Sequence, residues 1–68
     1  MKTAEIKARI KNIEIHREDD ECAHGLEDGL YQRFIRSIAD GDVGGIVARR
    51  QAQLVLTTEK IDFGRWTA

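Results

Sequence analysis

The sequence predicts a small all-α domain: three helices with an aromatic C-terminal tail docked on them. Three observations carry that prediction. The 68 residues contain no proline, and the chain is rich in residues that favour helices. Apolar residues recur at helical spacing in two long stretches. Acids and glycines fall between the periodic segments, where helix ends are expected. Residues 1–68 therefore read as one domain, with helices over about residues 3–17, 20–40 and 43–57 and a tail over 58–68.

The first helix is set by Ile6, Ile10 and Ile13, spaced i, i+4, i+7 along one face. Thr3 is the expected N-cap, and Glu5 sits where the helix dipole favours an acid. Ile13-Glu14-Ile15 alternates as a strand would, but two β-branched residues are too few to override the earlier period. The acid run Glu18-Asp19-Asp20-Glu21 reads as a turn whose last acids cap and charge the next helix.

The central helix is the packing axis. Cys22, Ala23, Leu26, Leu30, Phe34 and Ile38 form a drifting stripe, which Tyr31 and Ile35 widen onto an adjoining face. Gly25 and Gly29 inside it each cost roughly 1 kcal/mol relative to alanine, which suggests a close backbone approach. Gly41 is placed to end the helix in the left-handed conformation, and Asp42 to cap the third. Val43, Ile46, Val47, Leu54 and Val55 are that helix's expected core stripe, although Gly44-Gly45 weakens its first turn. Ile61, Phe63 and Trp66 are too large to leave a short tail loose, so the tail is expected to dock.

Composition excludes several functional classes. The net charge of −1, from 11 basic and 12 acidic residues, lacks the basic excess of a dedicated nucleic-acid binder. No apolar run approaches the roughly 20 residues of a membrane span. The single cysteine, Cys22, permits no internal disulfide and suits a reducing cytoplasm. The glycines of 41–45 follow no strand and lack the lysine of a phosphate loop.

The chemically suggestive residues cluster early in the central helix. His24, Glu27, Asp28 and Tyr31 lie on neighbouring turns, and an imidazole with two carboxylates could hold a metal or work as an acid–base pair. His16, Asp19 and Asp20 would add ligands if the first two helices fold antiparallel. The weight lies with a solvent-facing His24–Asp28 pair, because the His-x-x-Glu order occurs once and is the reverse of a helical-bundle metal motif. Cys22 sits in a first helical turn, which lowers a thiol's pKa, but the acids before it act oppositely and its stripe is apolar. No cofactor is implied. Arg33, Arg36, Arg49 and Arg50 form a candidate phosphate or acidic-protein contact. A helix-turn-helix reader is disfavoured, since Val43-Gly44-Gly45-Ile46 offers little that reads base edges.

The segments AHGLEDGLYQRFIRSIADG (23–41) and IDFGRW (61–66) resemble small uncharacterised proteins of bacterial and phage genomes. Small size, mild acidity and broad apolar surface are also similar to phage proteins that inhibit host defence systems. That resemblance implies a helical accessory protein and assigns no site residue.

The expected function is a non-enzymatic protein–protein interaction module that self-associates as a dimer. The central helix carries more apolar face than one short neighbour covers. Tyr31, Ile35, Arg49, Arg50, Phe63 and Trp66 are the candidate partner-binding residues, with metal binding at His24, Glu27 and Asp28 as the alternative.

Overall fold

A computed structural model describes residues 1–65. Three α-helices follow in order: α1 (Thr3–Ile15), α2 (Asp20–Ala39) and α3 (Gly45–Val55). A short 3-10 helix, Leu56–Lys60, continues from α3. The all-α three-helix fold holds, with α1 packed on both α2 and α3. Trp66, expected in the docked tail, lies outside the described residues.

Ile6, Ile10 and Ile13 form the buried face of α1, as their spacing requires. The helix stops at Ile15, two residues before the expected end. His16 turns back as its cap, and its Nδ1 donates to the Asn12 carbonyl at 2.8 Å. Thr3 is not the N-cap; Lys2 holds that position, without a side-chain cap. Ile15 continues the helix rather than a strand and is left exposed.

On α2 the buried line is Ala23, Glu27, Leu30, Phe34 and Ser37, alternating four and three residues. Asp19 caps the helix by accepting from the Cys22 N–H at 3.1 Å. The other end closes as a Schellman motif. Gly41, at φ 78°, donates to the Ile38 carbonyl, and Asp42 donates to that of Ser37. Ile38 is a correction: it is 43 % exposed, and Ser37 takes the buried place expected for it. Gly25 and Gly29 are a second correction, since no neighbouring atom lies within 4 Å of where a Cβ would stand.

α3 starts two residues late, at Gly45, with Gly44 rather than Asp42 as its N-cap. Its phase also differs from the expected stripe. Gln51 and Val55 are buried, whereas Ile46 and Val47 face solvent. Gln51 turns inward, its amide reaching the residue before the α1 cap and donating to the Met1 carbonyl at 2.9 Å. After the 3-10 turn, Ile61 and Phe63 complete the core with Val55 and the α1 isoleucines. Phe63 is buried, as docking of this segment requires, and its burial takes it out of the candidate partner-binding residues.

Candidate functional site

Two features stand out on the α2 side of the molecule: a polar latch at the start of the helix and an apolar groove further along it. The latch is built on Glu27. Helical phase directs this carboxylate inward, leaving it 4 % exposed, and a buried carboxylate needs a partner. Arg65 supplies one. Its Nε and Nη2 donate to the two oxygens of Glu27 at 2.9 and 3.0 Å, the two-point geometry that suits guanidinium and carboxylate. Nη2 also donates to the Thr58 carbonyl at 2.7 Å, and the guanidinium lies 3.8 Å from the centre of the Phe63 ring.

Burial alone would push the Glu27 carboxyl up. The hydrogen bonds and charge of Arg65, aided by the Thr58 hydroxyl and His24, outweigh it and hold the group below its ordinary value. Arg65 is raised in turn, chiefly by its hydrogen bond to Glu27. Two further bonds fasten the same segment. Gly64 N–H donates to Asp20 Oδ1 at 2.9 Å, and the Tyr31 and Thr58 hydroxyls bond at 2.9 Å. Of the acid run, Asp19 therefore caps a helix and Asp20 ties down the C-terminal segment.

The expected His24–Glu27–Asp28 cluster is divided by this arrangement. His24 Nε2 lies 3.5 Å from Asp28 Oδ2 on the outer side, while Glu27 is committed to Arg65. His16 is turned onto its own helix. Among the described residues, no three His, Cys, Asp or Glu side chains come together as a metal site would require. Cys22 is half-buried beside the Asp19 cap. Arg33 pairs with Glu5 of α1 at 3.2 Å, which removes it from a free basic patch. Arg49 and Arg50 are exposed on α3. No helix among the described residues is long and apolar enough to cross a membrane.

The groove lies between α2 and α3. Tyr31, Phe34 and Ile35 form one wall, Ala52, Val55 and Leu56 the other, around about 240 Å³ of space with a wholly apolar exposed lining. Ile35 is 64 % exposed and Leu56 52 %. The two features share a residue, because Tyr31 presents its ring to the groove and its hydroxyl to Thr58 of the latch. Sequence reasoning selected Tyr31 and Ile35 from the width of the apolar arc. It missed Leu56, Glu27's inward role and Arg65, whose partnership spans 38 residues.

Comparison with known proteins finds no matching family model, curated protein or solved structure.

Proposed function

We propose that this chain is a non-enzymatic protein–protein interaction module whose binding surface is the groove between α2 and α3. One observation carries the reading: an open groove lined only by apolar groups, with Ile35 and Leu56 projecting from its two walls. An exposed apolar concavity of this kind gains free energy when another apolar surface displaces its water. Ile38, three residues beyond Ile35, extends the apolar rim along α2. A metal or acid–base function at the latch has less support. The carboxylate it would use accepts two hydrogen bonds from Arg65 and is buried.

A photo-crosslinking residue placed at position 35 tests this in cells of the native host. Position 15 is the control, because Ile15 is equally exposed but stands on α1. Protein adducts formed from position 35 and not from position 15 are the expected result. Adducts from neither position, or equally from both, would overturn the proposal.

A further inference from the structure

Resting on the reading of the groove as a protein-binding surface, we infer that its occupant is an acidic amphipathic helix of a partner protein. The lining selects a helix. Its exposed surface is wholly apolar, so it offers nothing to the N–H and C=O groups of an extended segment. A helix satisfies those groups internally and presents side chains alone. Tyr31, Ile35 and Ile38 follow one another along α2 at i, i+4 and i+7, spanning about 10 Å, which matches two turns of an apolar stripe on the partner.

Charge selects its sign. Tyr31 of α2 bonds to Thr58, just beyond α3, while residues 40–44 join the end of α2 to the start of α3. The two helices therefore run in opposite directions, and the Ile38 end of the groove lies beside the first turns of α3. Arg49 stands there. It precedes Ala52 by three residues and Leu56 by seven, so it shares their side of the helix. It is exposed and has no ion pair among the described residues, and the first turn of α3 carries no acid. Arg50 adds a second exposed cation next to it. The nearby acids already face cations. Asp28, at the Tyr31 end, lies 3.5 Å from His24, and the charge of Glu59 acts on Arg65. Asp40 and Asp42 line a separate cavity with Arg33 and Arg36. The uncompensated charge along the groove is therefore positive, and an acidic residue flanking the partner's apolar stripe would pair with Arg49.

Photo-crosslinking from position 35 in cells of the native host tests the inference when repeated with Arg49→Glu and Arg49→Lys. Mass spectrometry identifies the crosslinked peptide, and circular dichroism reports that each variant stays helical. The adducts should map to a segment with apolar residues at i, i+4 and i+7 and with Asp or Glu within a turn of them. Arg49→Glu should lower their yield at least about fivefold, and Arg49→Lys should keep it within roughly twofold of that seen with arginine. A yield that Arg49→Glu leaves unchanged would overturn the inference, as would adducts that map to a basic segment or to a second copy of this chain. In those cases the groove remains a binding surface with a different occupant. No adduct from position 35 would overturn the reading of the groove as well.

Discussion

Arg65 holds both oxygens of Glu27 across 38 residues of sequence, joining the C-terminal segment to the middle of α2. Glu27 is nearly inaccessible and Arg65 about one-third exposed, so the pair is formed at the edge of the core. Removing the arginine would leave a buried carboxylate without its main donors. Arg65→Ala should therefore cost about 2–3 kcal/mol, less than a fully buried pair because water can reach the vacated side. In a domain of this size that lowers the melting temperature by roughly 10–20 °C, which thermal unfolding followed by circular dichroism will show. A loss under 1 kcal/mol would mean that the latch is ornamental.

The same pair sets an acid limb. Glu27's folded value is lowered from 4.5, so the unfolded chain binds its proton more readily than the folded one. Its contribution to stability is then complete above about pH 4.5 and is lost as pH falls through the lower folded value. Arg65 stays charged throughout that range and adds no titration of its own. Glu27→Gln should be less stable than the native protein at pH 7, and the gap should narrow progressively as pH falls below about 4.5. Urea midpoints measured from pH 3 to 7 provide the check; a constant gap across that range would contradict the assignment.

Gly25 and Gly29 occupy exposed helical positions with open space around them. Alanine at either should stabilise the fold by about 0.5–1 kcal/mol, through lower backbone entropy in the unfolded chain. Gly41→Ala should do the reverse, costing about 1 kcal/mol or more, because φ of 78° is unfavourable for any residue with a Cβ. Chemical denaturation of the three variants decides both signs at once.

Gln51 is 3 % exposed, and its Oε1 has no hydrogen-bond partner among the described residues. An unsatisfied buried acceptor costs about 1–3 kcal/mol, comparable to what the Nε2 bond to Met1 contributes. Gln51→Met, which keeps the volume and removes the acceptor, should leave stability within about 1 kcal/mol of native. A loss above 2 kcal/mol would show that the amide is satisfied in solution.

These residues also show which parts of the molecule were legible from sequence. The α1 isoleucines, the Ala23–Leu30–Phe34 line and the left-handed Gly41 follow from periodicity and local backbone chemistry, which act within a few residues. Asp19 as a cap follows from the same local rules. The inward turn of Glu27 and of Gln51 depends on partners 38 and 50 residues away, which no local pattern encodes. Once Gln51 points inward, Ile46, about 140° around the helix from it, must face out despite its hydrophobicity, and Val47 is exposed as well. The groove was half legible. Tyr31 and Ile35 announced a surplus apolar face on α2, but the opposing wall of Ala52 and Leu56 required the true phase of α3.

On the proposed reading, Ile35 anchors a protein partner in the groove between α2 and α3. Photo-crosslinking from position 35 in cells of the native host, with position 15 as the control, tests it most directly. Protein adducts from position 35 and none from position 15 are the predicted result. Adducts from neither position, or equally from both, would contradict it.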